Sequence, residues 1–191
     1  MCLIDADTAQ NGLTITADEQ TAGKGQRGRI WKSEARESLL MSIITIPDKS
    51  LDEQFLFSAA VAVAIAEVLQ HEYENWDVRV KWPNDIIIND KKAGGILIEN
   101  VLRGSKWTHS VVGLGLNVKQ AAFPPELPFA TSLKLASGND FDIAGLRDDI
   151  RREIIEASDR RMGAATALAE YNEYLYKRGG KQLFGYETER W

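Results

Sequence analysis

Two lysines, an asparagine and an aspartate lie close together in the middle of the chain. Lys81, Asn84 and Asp85 surround a Trp-Pro corner, and Lys92 follows a short hairpin turn, just before Gly95. Lysine ammonium groups stabilise negative charge on oxygen, and a carboxylate or amide can organise Mg²⁺ or orient a neutral polar ring. The set therefore suits the activation of a carboxylic acid by a nucleotide. An ordinary polar β-turn is the alternative, because Pro-Asn-Asp is common turn chemistry.

A glycine-rich segment with three cations forms a second candidate site. Glycines permit positive φ and expose backbone N–H groups, so such a loop can surround an anion, and arginine adds a planar fork for phosphate. The segment lacks the Gly-Lys-Ser/Thr ending of common phosphate loops and opens no convincing dinucleotide-binding unit. A solvated surface loop is the alternative. The residues are Gly23, Lys24, Gly25, Gln26, Arg27, Gly28 and Arg29.

A third candidate segment comprises Gly113, Gly115 and Asn117 at the end of an apolar strand. Glycines within a strand cost stability and often mark the close approach of a ligand or another backbone. A β-bulge in a packed sheet is the alternative. Together, the three segments favour one task, the binding of a small anionic ligand with nucleotide phosphates.

Composition narrows the class of protein. The 191 residues suffice for one sizeable domain with a small appendage, and 44% hydrophobic and 27% charged content is ordinary for a soluble protein. A net charge of −5 argues against a general nucleic-acid surface. The single cysteine, Cys2, excludes an internal disulfide. No apolar run looks long enough to span a membrane and no secretory signal is visible, so we expect a cytoplasmic protein.

The hydrophobic pattern predicts an α+β fold with a mixed, mainly antiparallel sheet and helices packed on it. We expect one face of the first helix, over 52–70, to be buried through Phe55, Ala59, Ala62, Ala66 and Leu69. Strands are predicted over 13–17, 39–46, 78–82, 86–88, 96–102 and 107–118, and two further helices over 142–161 and 164–177.

These segments resemble the catalytic domain of the biotin protein ligases. The matching segments are 20–31, 81–85, 92–97, 113–118 and 130–133, and their order and spacing agree across residues 13–178. The resemblance implies the biotin–lipoate ligase fold, which is similar to class II aminoacyl-tRNA synthetases. It implies that ATP activates biotin as biotinyl-5′-AMP, with Mg²⁺, and that biotin is then transferred to a lysine of a biotin carboxyl carrier domain.

The resemblance also assigns residues to biotin and its adenylate. Gln20 is expected to contact the biotin rings, and Lys92 to hold the activated carboxyl and phosphate oxygens beside Gly95. Trp31 is expected near the adenine, with a plain core aromatic as the alternative. The glycine loop, expected to close over the ligand, contributes Gly23, Lys24, Gly25, Gln26, Arg27 and Gly28.

Four further residues are assigned to the nucleotide and the acceptor. Lys81, Asn84 and Asn117 are expected to serve the ATP phosphates, with Asn117 also acting through Mg²⁺. Asp85 is the candidate for orienting or deprotonating the acceptor lysine, because an amine must lose its proton before it attacks. Lys92, Asp85 and Lys81 thus form the predicted catalytic set.

The chain departs from the family pattern at three places. Gln26 stands where relatives often have arginine. A Ser/Thr segment that helps bind biotin is expected upstream of the first residues. Residues 1–178 are predicted to form the catalytic domain, and 179–191 the start of a truncated small C-terminal β domain.

Two alternatives remain open at this point. Lipoate ligases share the fold, although the Lys-Trp-Pro-Asn-Asp corner favours biotin. An impaired fragment that acts only as a binding module is the second alternative. A homodimer is considered for either. DNA is not expected as a partner, because no helix-turn-helix precedes the domain, and a membrane is not expected, because no apolar run looks long enough to span one.

Overall fold

A six-stranded antiparallel sheet forms the centre of the molecule. The computed structural model describes residues 9–160, 163–180, 185–186 and 189–190, without the side chains of Arg27 and of the four residues 185–186 and 189–190. The strands are β1 Thr14–Ala17, β4 Ser38–Thr45, β5 Val78–Lys81, β6 Asp85–Ile88, β7 Lys91–Arg103 and β8 Lys106–Asn117, and their order across the sheet is β1-β4-β8-β7-β6-β5. Two short hairpins accompany the sheet, β2 Gly23–Lys24 with β3 Ile30–Trp31, and β9 Gly185–Tyr186 with β10 Glu189–Arg190.

The helices cover one face of the sheet. Side chains alternate between the faces of a strand, so Leu39, Met41 and Ile43 of β4 point into the core, while Leu40 and Ser42 point to the opposite face. The long central helix packs against the last two helices and β5. The helices are α1 Gln54–Glu72, α2 Leu133–Ser137, α3 Ile143–Asp159 and α4 Ala164–Tyr174.

Helix α1 is apolar on most of its surface. A short 3₁₀ turn, Leu51–Glu53, precedes it, and Ser50 and Glu53 form a reciprocal cap at that turn. By length and composition alone, the segment Leu51–Glu72 could cross a membrane, contrary to the expectation from sequence inspection. The core helix of a soluble protein meets the same test, and Phe57 and Ile65 are fully buried against the rest of the fold.

The α+β class and the antiparallel sheet are confirmed, and the predicted helices agree with the observed ones apart from their ends. One expected core residue is wrong. Phe55 is 47% exposed and packs edge-to-face with the Tyr171 ring, because it lies in the first turn of α1, before the helix enters the core. The predicted second domain, 179–191, falls mostly outside the described residues, so it stays a prediction.

Candidate active site

The predicted site residues converge on the sheet face that the helices leave uncovered. One row of directly opposed residues crosses all six strands, and opposed residues in antiparallel strands project from the same face. We call this side of the sheet the glycine face. From one edge to the other, the row is Ala17, Leu40, Gly115, Gly95, Asp85 and Lys81.

A β-bulge at Ala93 brings Lys92 to the glycine face. Lys92 and Gly95 are an odd number of residues apart, so strict alternation would place them on opposite faces. The β6–β7 register shifts here, so that Ile86 pairs with Gly94 while Ile87 pairs with Lys92. The extra residue, Ala93, is fully buried in the core. The bulge therefore aims the lysine towards Asp85.

Lys92 and Asp85 form an ion pair at the centre of the site. Lys92 Nζ lies 2.6 Å from Asp85 Oδ1, and the two side chains are 38% and 22% exposed. Both groups remain accessible from solvent, so a ligand oxygen can reach the ammonium group without prior rearrangement of the core. A lysine has three donors, so it can bind Asp85 and a ligand oxygen together.

The indole of Trp31 covers the middle of this row. A Cβ at Gly115 would lie 2.6 Å from Trp31 Cε2, and one at Gly95 would lie 3.6 Å from Trp31 Cζ3. Gly115 therefore has no side chain because the tryptophan ring occupies that space. The buried Trp31 Nε1 has no hydrogen-bond partner among the described residues, so it is an unpaired donor beside this row.

The glycine loop is folded into a compact hairpin. Gly23 pairs with Trp31, and the Gly25 amide donates to the Arg29 carbonyl at 2.7 Å. Gly28 has a φ of 76°, a conformation that favours glycine. A Cβ at Gly23 would lie 2.8 Å from Gln20 Oε1. The hairpin thus brings Gln20 and Trp31 to the same stretch of the loop.

The Trp-Pro corner is fixed to the neighbouring strand by Asn84. The side-chain Nδ2 of Asn84 donates to the Ile96 carbonyl at 2.7 Å, and the backbone carbonyl of Asn84 accepts from the Ile96 amide at 2.8 Å. The Trp82–Pro83 peptide bond is cis. Asn84 therefore holds the start of β6, and with it Asp85, against β7.

Asn117 is buried at the end of β8, with 6% of its surface exposed. Its Nδ2 donates to the Thr131 carbonyl at 3.0 Å. Residues 129–131, which return to the sheet here, also bond to the backbone of Lys92. The Lys92 amide donates to the Phe129 carbonyl at 2.6 Å, and the Thr131 amide donates to the Lys92 carbonyl at 2.8 Å.

The structure thus brings Gln20, Trp31, Asp85, Lys92 and Gly95 into one region. Lys81 and Lys24 are exposed, with Lys81 at the end of the row and Lys24 on the loop hairpin, and the side chain of Arg27 lies outside the description. Their assigned roles, like those of Gln26 and Asn117 towards ligands, stay predictions.

Sequence inspection missed two features of this site. Nothing distinguished Ala93 as a bulge, because the strand pattern gives only alternation. The second is the return of residues 129–131 to the sheet, since 130–133 stood out only as a stretch that resembles the ligases, without a role.

The sequence profile of the biotin/lipoate A/B protein ligase family matches residues 3–117. The chain belongs to this family. Among curated members, a bifunctional ligase/repressor BirA from Bacillus subtilis is 38% identical over 143 residues, which cover 73% of this chain and 44% of the relative. A biotin–[acetyl-CoA-carboxylase] ligase from Mycobacterium tuberculosis is 33% identical over 127 residues, 64% of this chain and 45% of the relative. The chain thus spans less than half the length of these ligases.

Solved structures of the ligase family have the same fold. The biotin protein ligase from Aquifex aeolicus in complex with biotin and ATP matches with a TM-score of 0.67 and 29% identity, over 78% of this chain and 61% of that chain. The biotin protein ligase from Leishmania major in complex with biotinyl-5-AMP matches with a TM-score of 0.66 and 26% identity, over 91% and 76% of the two chains.

Proposed function

We propose that this protein is an ATP-dependent biotin protein ligase, which makes biotinyl-5′-AMP and transfers the biotin to a lysine of a biotin carboxyl carrier domain. The observation that carries the proposal is the Lys92–Asp85 ion pair on the glycine face, beside the Trp31 indole and the glycine loop. A cation, a carboxylate and a close-fitting apolar wall within one region suit an acyl-adenylate.

Biotin is favoured over lipoate by the relatives. The family profile covers both kinds of ligase, but the similar curated proteins are named as biotin ligases. The matching structures are described with biotin and ATP, and with biotinyl-5-AMP. These likenesses support the binding of biotin and a nucleotide by this chain.

In the first step, a biotin carboxylate oxygen attacks the α-phosphorus of ATP. A new oxygen–phosphorus bond forms, the bond to the β-phosphate oxygen breaks, and pyrophosphate leaves with that electron pair. Negative charge is spread over the phosphoryl oxygens, where a fixed ammonium group contributes most. Lys92 is placed for this task because the bulge and Asp85 hold its Nζ at a defined point.

In the second step, the amine of the acceptor lysine attacks the carbonyl carbon of the adenylate. An amide bond forms, the carbonyl carbon–phosphate oxygen bond breaks, and AMP leaves. The attacking amine must release a proton, and Asp85 is the described carboxylate beside Lys92 that can accept it. Lys92 stays at the leaving phosphate oxygen, so the same pair serves both steps.

Mg²⁺ is part of the proposal as a partner of the ATP phosphates. Among the described residues, no group of three or more His, Cys, Asp or Glu side chains could hold a metal ion. A triphosphate that carries Mg²⁺ needs few protein ligands, since this ion keeps several waters and phosphate oxygens. The side-chain amide oxygens of Asn84 and Asn117 are neutral ligands that the proposal assigns to such an ion. The metal would neutralise phosphate charge when bound.

A charge-matched pair of variants tests the proposal. We expect Lys92→Ala to lower formation of biotinyl-5′-AMP at least about 10²-fold, since a removed charge-stabilising donor costs that much. Lys91→Ala removes the same charge from the adjacent exposed position and should leave synthesis unchanged. Retained adenylate is measured by native mass spectrometry after incubation with biotin, ATP and Mg²⁺, with circular dichroism as a check of folding. Wild-type synthesis in a folded Lys92→Ala variant would overturn the assignment.

The acceptor, the oligomeric state and the compartment are further parts of the proposal. The name of the mycobacterial relative points to a carboxylase as the source of the acceptor domain. A homodimer and a cytoplasmic location stay predictions.

A further inference from the structure

We infer that Asn117 is a positioning residue for Lys92, acting through the backbone of residues 129–131. The catalytic consequence rests on the proposed function, in which Lys92 carries the charge stabilisation. The structural part does not rest on it. It concerns which contacts hold the lysine backbone at the bulge.

Strand β8 does not pair with β7 as far as Lys92. Strand β8 pairs with β7 from Lys106 up to Leu116, which faces Gly94, and the strand ends at Asn117. Beyond this point, residues 129–131 return and continue the pairing, through a parallel bridge between Lys92 and Ala130. A loop segment therefore replaces a strand where the active-site lysine leaves the regular sheet.

Both backbone polar groups of Lys92 are committed to this segment. The Lys92 amide donates to Phe129 at 2.6 Å, and the Thr131 amide donates to Lys92 at 2.8 Å. Lys92 lies next to the bulged residue Ala93, where the regular ladder is interrupted, so its orientation depends on the contacts that replace the ladder. Here those contacts come from residues 129–131, so a displacement of this segment also displaces the Lys92 backbone and its Nζ.

Asn117 joins the end of β8 to that segment. Its side-chain amide donates to the Thr131 carbonyl at 3.0 Å. The backbone amide of Thr131 in turn donates to the Lys92 carbonyl. The bond is almost fully buried, so its loss leaves a buried carbonyl without a donor, which costs about 1–3 kcal/mol. The path from Asn117 to Lys92 thus consists of two hydrogen bonds joined through one residue, Thr131.

A second buried side-chain amide, just beyond the end of β8, supplies a matched control. Gln120 is 7% exposed, and its Nε2 donates to Ser38 Oγ at 2.7 Å. This bond ties the chain just beyond β8 to the start of β4, on the side away from Lys92. Gln120→Ala and Asn117→Ala therefore each remove one buried side-chain hydrogen bond near the end of β8, but only the Asn117 bond leads to the lysine.

The first readout is backbone amide exchange of the unliganded chain. We expect Asn117→Ala to accelerate exchange at Lys92 and Thr131 about tenfold, while Val112, in the middle of β8, stays as protected as in the wild type. Gln120→Ala should leave Lys92 unchanged. Wild-type protection of Lys92 in Asn117→Ala would overturn the inference. Equal acceleration at Lys92 and Val112 would also overturn it, because Asn117 would then act on the whole fold.

The second readout is the kinetics of adenylate formation. A misplacement of about 1 Å costs about 10²-fold in rate, so we expect Asn117→Ala to lower kcat by about that factor with a smaller change in KM for ATP. A raised KM with unchanged kcat would identify Asn117 as a plain ATP ligand and overturn the positioning role. Failure of the wild-type chain to form adenylate would refute the proposed function alone, since the exchange experiment decides the positioning role without any ligand.

Discussion

Asp85 and Lys92 meet across the β6–β7 hairpin, with 2.6 Å between Oδ1 and Nζ, although regular alternation along β7 would turn the lysine away. The bulge at Ala93 is what makes this contact. The pair places a carboxylate and a cation side by side, so a single location can stabilise phosphate charge and accept a proton from an incoming amine.

This geometry predicts different effects of Asp85→Asn on the two half-reactions. We expect transfer from preformed biotinyl-5′-AMP to an acceptor domain to fall about 10²–10⁴-fold, because the proton acceptor is lost. Adenylate formation should fall less, because Lys92 keeps its charge. The two steps are measured separately, by single-turnover transfer and by pyrophosphate release.

Glu99→Gln is the control for this variant, since Glu99 is an exposed carboxylate on the same strand as Lys92. It should leave both half-reactions unchanged. Transfer at the wild-type rate in Asp85→Asn would show that the proton leaves by another route.

The contact between Trp31 and Gly115 predicts how the glycine loop is attached. In Gly115→Ala, the new Cβ would lie 2.6 Å from the indole, so Trp31 must move and the loop loses its contact with the sheet. Overpacking of this kind costs about 1–3 kcal/mol, which corresponds to roughly tenfold faster cleavage of the loop. Limited trypsin digestion measures this at Lys24 and Arg29, and at Arg27.

Gly95→Ala provides the comparison on the opposed residue. Its Cβ would lie 3.6 Å from Trp31, an ordinary contact, so we expect cleavage of the loop at the wild-type rate. Equal cleavage of the two variants would contradict the role of Trp31 as the attachment of the loop.

The helical side of the molecule predicts a small dependence of stability on pH. Burial raises the pKa of Glu67 on α1 above its ordinary value of 4.5, and Glu170 adds to the effect. The folded state then binds the proton more tightly than the unfolded state, so the free energy of unfolding falls as pH rises from about 4.5 through the raised pKa. The penalty is present in full once the pH is above the raised pKa.

We therefore expect Glu67→Gln to raise Tm near pH 7.5 by about 1 °C, a small shift because burial is only partial and solvent still reaches the side chain. The difference should vanish below about pH 4, where both states are protonated. Glu156→Gln, an exposed position on α3, removes the same charge and serves as the control in thermal melts. An equal shift in both variants would assign the effect to net charge.

Local patterns in the sequence were enough to predict the antiparallel sheet, most helices and the segments that meet on the glycine face. The apolar runs of β4 and α1 follow from which side chains must leave water. Phe55 shows the limit of this approach, since apolar character did not reveal that the first turn of α1 lies outside the core.

The residue types by themselves determined the chemistry: cations and a glycine-rich loop for anions, and a carboxylate for a proton. Only the tertiary structure decided that Lys92 faces Asp85, that Trp31 lies on Gly115, and that residues 129–131 continue the sheet at the lysine. The bulge changes side-chain direction by a single extra residue, and the other two contacts join segments far apart in sequence. All three contacts depend on how the whole sheet pairs and packs, which local propensity does not encode.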